Sequence, residues 1–85
     1  MEFPCYRKYL NNKSYFKISS PAHFEELKIT GKYFSLELVE TKTLPERNFI
    51  SDMLFDFVQS WQEIQEAEYE EKKQFCLLNL KRIQV

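Results

Sequence analysis

The fold of this chain is decided by residues 28–41, which read KITGKYFSLELVET. From residue 34 onward the side chains alternate in type, with Phe34, Leu36 and Leu38 on one face and Ser35 and Glu37 on the other. A period of two predicts a β-strand with one buried face and one solvated face. Gly31, the only glycine in the protein, precedes this strand and indicates a backbone turn that closes a hairpin.

The composition fits one small domain built around that strand. The chain has 85 residues, a length typical of a single domain. Its 3 prolines and 1 glycine are too few to favour disorder, and an aromatic content of 16% supplies large side chains for a core. We therefore predict that residues 1–85 form a single α+β domain.

The aromatic N-terminal segment predicts a second hairpin. Its strands are expected over Tyr6–Leu10 and Ser14–Ile18, because the intervening Asn-Asn-Lys tolerates the left-handed conformation of a turn. The two faces of the second strand are expected to carry Phe16 with Ile18 and Tyr15 with Lys17.

A short helix is expected after this hairpin. Ser20 can cap a helix N-terminus, and Pro21 suits the first helical position, where its missing N–H costs nothing. The helix would cover residues 22–27. The sequence leaves one alternative open, in which residues 24–29 extend the sheet.

The clearest helix follows the central strand. Residues 43–46, Thr-Leu-Pro-Glu, match the S/T-x-x-E capping box. The helix is expected over Thr43–Gln59, packed against the apolar face of the central strand. Its apolar stripe at helical spacing consists of Phe49, Ile50, Met53, Leu54, Phe57 and Val58. Phe55 falls on the polar half of this helix.

A second long helix is expected from Gln65, after a short segment at residues 60–64 that is either a strand or a connection. Its acidic first turns and its later lysines match the helix dipole. Its apolar stripe consists of Tyr69, Cys76, Leu80 and Ile83, and leaves out Phe75 and Leu78. An alternative makes residues 75–85 a strand. The predicted architecture is a mostly antiparallel sheet of three to five strands with two main helices on one face.

Net charge, hydropathy and cysteine content indicate which partners and which cellular compartment to expect. A net charge of -1 argues against an electrostatic grip on nucleic acid. The first residues contain no apolar h-region, so no signal peptide is expected, and no apolar run approaches the length of a membrane span. We therefore expect a cytoplasmic protein that does not associate with membranes. Its two cysteines, Cys5 and Cys76, are expected to be reduced, with one disulfide between them left open.

The sequence offers few candidates for chemistry. The only histidine, His23, lies beside Glu25 and Glu26 and could act as a general base, but a solvated helix side accounts for the three residues more simply. No two of Cys5, Cys76 and His23 have the close spacing of a structural zinc site. One glycine cannot build a phosphate-binding loop. We predict no catalytic, metal or cofactor-binding residues and no cofactor.

The basic and aromatic N-terminal hairpin supports a different class of function. Single-stranded nucleic acid binders interleave stacking surfaces with cations. The residues that would make such contacts here are Tyr6, Arg7, Lys8, Tyr9, Lys13, Tyr15 and Lys17. The central strand lacks the glycine pattern of an RNA-recognition motif, so a nucleic-acid accessory role ranks second.

Two segments resemble a pattern of short uncharacterised bacterial proteins. They run from Ser20-Pro21 through Phe24-Glu25-Glu26 to Gly31-Lys32-Tyr33, and over residues 44–48, Leu-Pro-Glu-Arg-Asn. The resemblance covers about half of the chain. It implies a bacterial origin and supplies no activity.

The remaining apolar residues favour self-association. Phe55, Phe75 and Leu78 lie outside the predicted stripes, and three large exposed side chains in so small a domain suggest a shared interaction surface. Pairing of unprotected sheet edges is a second route. The sequence therefore predicts a non-enzymatic protein-interaction module, a symmetric homodimer or a binder of another protein. A small enzyme that uses His23 ranks third, after the nucleic-acid role.

Overall fold

The computed structural model describes residues 2–83. Within them, six strands and two helices follow one another as an α+β fold, which confirms the predicted class. The elements are β1 (Cys5–Tyr9), β2 (Ser14–Ser20), β3 (His23–Thr30), β4 (Tyr33–Glu40), α1 (Leu44–Phe55), β5 (Trp61–Ile64), α2 (Glu66–Asn79) and β6 (Lys81–Arg82).

All six strands join one sheet in the order β5-β1-β2-β3-β4-β6. Every neighbouring pair is antiparallel except β4 and β6, which are parallel. The sheet is thus mostly antiparallel, as predicted, with one strand more than the predicted maximum. Three of the six strands, β3, β5 and β6, lie in segments for which the sequence left a strand as one alternative.

The two predicted hairpins are present. Asn12 in the first turn has a φ of 61°, which asparagine tolerates better than most residues. Gly31 in the second turn has a φ of 60° and is the first of two turn residues, the place where a type II′ turn needs glycine.

The helix predicted over residues 22–27 is wrong, and the alternative strand is right. Pro21 and Ala22 form a turn, and β3 starts at His23. The Ser20 hydroxyl accepts a hydrogen bond from the Ala22 N–H, so this serine stabilises a turn rather than a helix start. Pairing of β3 along both β2 and β4 outweighs the weak local helix signal.

The prediction that both helices lie on one face of the sheet is also wrong. Tyr15 and Phe16 are neighbours in β2 and therefore point to opposite faces. Tyr15 packs in a cluster with Tyr69 and Cys76 of α2, whereas Phe16 packs in a cluster with residues of α1. The sheet therefore carries one helix on each face, because β2 has large apolar side chains on both faces that must be buried.

The α1 layer has its own core. Ile50, Met53 and Leu54 of the helix are buried against the sheet. Their partners include Phe16, Ile18, Phe24 and Trp61. The central strand residues Phe34 and Leu36 instead face α2, so the predicted packing of α1 against them is wrong.

The ends of α1 follow the capping prediction in part. The Thr43 hydroxyl caps the helix by accepting from the Glu46 N–H, and it donates to the Glu46 carboxylate at 2.8 Å. The helix ends at Phe55, four residues before the predicted Gln59. Val58 lies beyond the helix and is exposed, whereas Phe57 turns back and packs on the core.

The α2 layer covers the other face diagonally. The helix begins near β1, where Lys8 pairs with Glu68, and it ends beside β4, where the Lys81 N–H donates to the Lys32 carbonyl. Tyr69 and Cys76 are buried and Leu80 is partly buried, as the predicted stripe requires, but Ile83 is exposed. In residues 2–83 no helix has the length and apolar character required to cross a membrane.

Candidate interaction surface

The predicted nucleic-acid contacts in the first hairpin are largely internal. Tyr6 and Tyr15 are buried in the α2 layer, and burial raises the pKa of both hydroxyls above its ordinary value. Tyr9 is half-buried and stacks on Trp61 in the α1 layer. None of these three rings is presented to solvent as a surface on which a base could stack.

Arg7 has an internal role that the sequence did not reveal. Its side chain is only 4% exposed. Nε donates to the Met53 carbonyl at 2.8 Å, Nη1 donates to the Tyr6 carbonyl, and the guanidinium lies 4.3 Å from the centre of the Phe57 ring. Since α1 has no basic residue in its last turn, Arg7 supplies from β1 the cation that a helix C-terminus favours.

The three lysines of the hairpin differ in their contacts and exposure. Lys8 Nζ donates to Glu68 at 2.8 Å, and this hydrogen bond raises the pKa of the lysine. Lys17 is half-buried and Lys13 is exposed. The structure therefore does not bring the seven predicted contact residues together on one accessible surface.

His23 has partners other than Glu25 and Glu26. Its Nδ1 lies 2.8 Å from the Ser20 hydroxyl, and its Nε2 lies 3.9 Å from Glu40 Oε1. A proton on Nε2 would leave Nδ1 to accept from Ser20, as in a Ser-His-carboxylate arrangement. The Ser20 oxygen, however, also accepts from Ala22 N–H, and His23 and Glu40 are largely exposed, so the group has the features of a turn lock rather than a water-excluded active site.

The α2 layer also contains a partly buried polar contact, centred on Glu25, that was not predicted from the sequence. Glu25 accepts hydrogen bonds from the Tyr69 hydroxyl and from Lys73 Nζ, which ties β3 to the middle of α2. Burial, with the hydrogen bond to Glu25, raises the pKa of Tyr69 far above its ordinary value, so its hydroxyl stays protonated. The alternation of β3 contains a signal for this contact, because Glu25 shares a face with the buried Leu27.

The three residues of the predicted dimer surface are all exposed but do not lie together. Phe55 is on α1, where it borders an apolar groove of ≈ 440 Å³. Phe75 and Leu78 are on α2, across the sheet. The groove is lined by Phe3, Pro21, Arg47, Asn48, Ile50, Ser51, Leu54 and Phe55.

The α2 layer exposes two more large apolar residues, Leu38 and Leu77. Leu38 shares a strand face with the inward-facing Phe34 and Leu36, yet it is 79% exposed. The reason is the course of α2, which ends at the Tyr33 end of β4 and leaves the other end uncovered. Leu77 follows Lys73 by one helical turn, so it lies on the flank of α2 that faces β3 and β4.

Leu38 lies on an open edge of the sheet. The strand β6 pairs with Tyr33 and Phe34 only, and among residues 2–83 no strand pairs with residues 35–40 on the side away from β3. We define residues 36–40 as the β4 edge. Unpaired main-chain groups of this kind can bind another strand.

Two further kinds of site concern metal ligands and the cysteines. Within residues 2–83 no group of three His, Cys, Asp or Glu side chains is placed to hold a metal ion. Cys5 and Cys76 are thiols that pack in different layers, which places the sheet between them and argues against a disulfide within one chain. Burial raises the pKa of the Cys76 thiol, which makes this cysteine a weak nucleophile.

Comparison with known proteins gives no relative from which a function could be carried over. Neither family models, curated proteins nor solved structures match this chain.

Proposed function

We propose that this protein is a non-enzymatic interaction module that binds a second copy of itself through the α2 layer. The observation that supports the proposal is that four large apolar side chains of that layer are exposed to solvent. They are Leu38, Phe75, Leu77 and Leu78, and Leu78 is 80% exposed. Large apolar side chains left exposed on a small domain mark interaction surfaces.

A symmetric homodimer is more compatible with the α2 layer than with the surface of Phe55, Phe75 and Leu78 that the sequence predicted. Phe55 lies on the opposite layer, so a single two-fold interface cannot include it together with Phe75 and Leu78. In a closed two-fold dimer, each copy contributes the same surface. The α2 layer can serve both copies at once, and Phe55 is left for a separate contact.

Sedimentation velocity over a low to high micromolar concentration series tests the proposal. We expect the weight-average mass to rise from monomer towards dimer as concentration rises. A chain that stays monomeric throughout the series would refute self-association. Phe55→Glu is the control, because it adds a charge to the opposite layer and should leave the association unchanged.

A further inference from the structure

We infer that two copies associate by antiparallel pairing of their β4 edges, with Leu38 of each copy opposite Leu38 of the other. This inference rests on the proposed self-association and names its interface. The result would be one continuous sheet across a two-fold axis. The α2 helices of both copies would then lie on the same side of that sheet.

The main-chain groups of the β4 edge point in the required direction. The Lys32 carbonyl, just before β4, accepts from the Lys81 N–H, and the Phe34 carbonyl accepts from the N–H of Ile83, just after β6. Even-numbered residues of β4 therefore direct their main-chain groups away from β3. Thr41, an odd-numbered residue, donates to Ala22 on the β3 side. By this alternation, the N–H and C=O groups of Leu36, Leu38 and Glu40 face outward.

The pattern of outward groups selects the register. In an antiparallel pair, residues that face each other with outward groups exchange both hydrogen bonds. Centring on Leu38 places Leu38 opposite its own copy and Leu36 opposite Glu40, so all three outward-facing residues are bonded in each copy. The same register places Glu37 of one copy opposite Val39 of the other; the main-chain groups of both residues face β3.

The charges of the edge support that register over its neighbours. Centring on Leu38 puts neither Glu37 nor Glu40 opposite an acid. Centring on Glu37 would put two carboxylates directly opposite each other, which is destabilising. Centring on Val39 would put each Leu38 opposite Glu40 and lose the apolar pair. The β4 edge is therefore suited to pair with the β4 edge of a second copy of this chain.

The other sheet edge is less suited to pairing. The strand β5 has four residues, and its exposed side chains are the polar Gln62 and Glu63, while Trp61 and Ile64 are buried. Short and charged edge strands resist pairing. Pairing of β4 with β5 of another copy would also be heterologous and would generate an open chain of molecules rather than a closed dimer.

The size of the contact sets the expected strength. A pairing of residues 36–40 is a small interface, and interfaces below about 1,200 Å² belong to weak, transient complexes. Additional apolar contact would come from Leu77, on the flank of α2 that faces β4. We therefore expect a reversible dimer that forms at micromolar concentrations or above.

A proline substitution tests the main-chain part of the inference. Leu38→Pro removes an N–H that points out of the sheet, so it breaks no hydrogen bond to β3, and proline is tolerated on such an edge. We expect a folded protein by circular dichroism whose dimer dissociation constant rises about tenfold or more, because two symmetry-related hydrogen bonds are lost. Unchanged association of the folded variant would overturn the inference.

A charge pair tests the register without any risk to the backbone. Leu38→Lys and Leu38→Glu each place like charges opposite each other, so each variant alone should remain monomeric where the wild type dimerises. An equimolar mixture should associate more strongly than either variant alone. A mixture no stronger than its components would overturn the pairing of Leu38 with itself.

The outcomes separate this inference from the proposed function. Phe75→Glu is the matched control, because Lys72 lies between the Phe75 ring and the Tyr15 ring, on the flank of α2 away from β4. A dimer that survives the Leu38 substitutions but is lost in Phe75→Glu would refute the β4 edge and keep self-association. A monomeric wild type would refute both.

Discussion

Replacing Arg7 with alanine should destabilise the fold strongly, although the basic and aromatic pattern of the hairpin predicts an exposed contact residue at this position. The substitution removes the donors to the Met53 and Tyr6 carbonyls and the cation over the Phe57 ring. It also leaves the Met53 carbonyl, near the end of α1, without this partner.

The expected magnitude follows from those contacts. A hydrogen bond to a charged group contributes about 1.5–3 kcal/mol, and bonds that share one side chain are less than additive. Arg7 also lies 3.6 Å from Glu63, but that carboxylate is 62% exposed and adds little. We expect Arg7→Ala to lower the free energy of unfolding by about 2–5 kcal/mol.

Urea unfolding monitored by Trp61 fluorescence measures this change. Arg7→Lys should be intermediate, because lysine keeps the cation but lacks the planar set of donors. Lys13→Ala, in the exposed first turn, is the control and should stay within about 0.5 kcal/mol of the wild type. If Arg7→Ala also stays within that range, the side chain is not the anchor of α1 and the packing of this layer is wrong.

Three further predictions follow from the two layers. Met53→Ala should cost about 2–5 kcal/mol in urea unfolding because the side chain is fully buried, whereas Phe55→Ala should cost little; equal costs would contradict the orientation of α1. The raised pKa of Tyr69 means that the folded state holds this proton more tightly than the unfolded state, so stability is fully present below the ordinary value of 10.0 and falls as pH rises above it. Thermal melts across that range should show the fall, and a shallower one in Tyr69→Phe; an identical slope would contradict the buried contact with Glu25. Labelled single-stranded oligonucleotides at low salt should show no saturable binding, and micromolar binding lost on mutation of Lys13 and Lys17 would restore the nucleic-acid alternative.

Local sequence patterns predicted the elements whose signals are strong. The capping box at Thr43, the helical stripe around Met53 and the turn residues Asn12 and Gly31 each identify one structure through one physical cause. The segment at residues 23–30 was predicted less well, because Ser20 and Pro21 suit a turn as well as a helix start. Pairing with strands on both sides then decides the outcome.

The layer arrangement could not be obtained from the same patterns. Tyr15 and Lys17 on one face of β2 look solvated, yet the sheet buries Tyr15 under α2. An aromatic ring with a polar tip fits either setting, so periodicity alone does not assign it. The error carried over to Leu38, which alternates as a core residue but lies where α2 does not reach.

Part of the candidate surface was visible in the sequence. Phe75 and Leu78 fall outside the stripe of α2 and are exposed, as their spacing predicts. The β4 edge was not, because the absence of a neighbouring strand is a property of the strand order. No local pattern in residues 36–40 reveals that order.

Amide hydrogen exchange followed by NMR can detect pairing of the β4 edges residue by residue. In dilute solution the outward N–H groups of Leu36, Leu38 and Glu40 should exchange rapidly, because no strand of the described chain accepts from them. At high micromolar concentration they should become protected, while the N–H of Glu63, which faces outward from β5 on the other sheet edge, should show no change. Exchange at Leu36, Leu38 and Glu40 that does not depend on protein concentration would contradict self-association through the β4 edge.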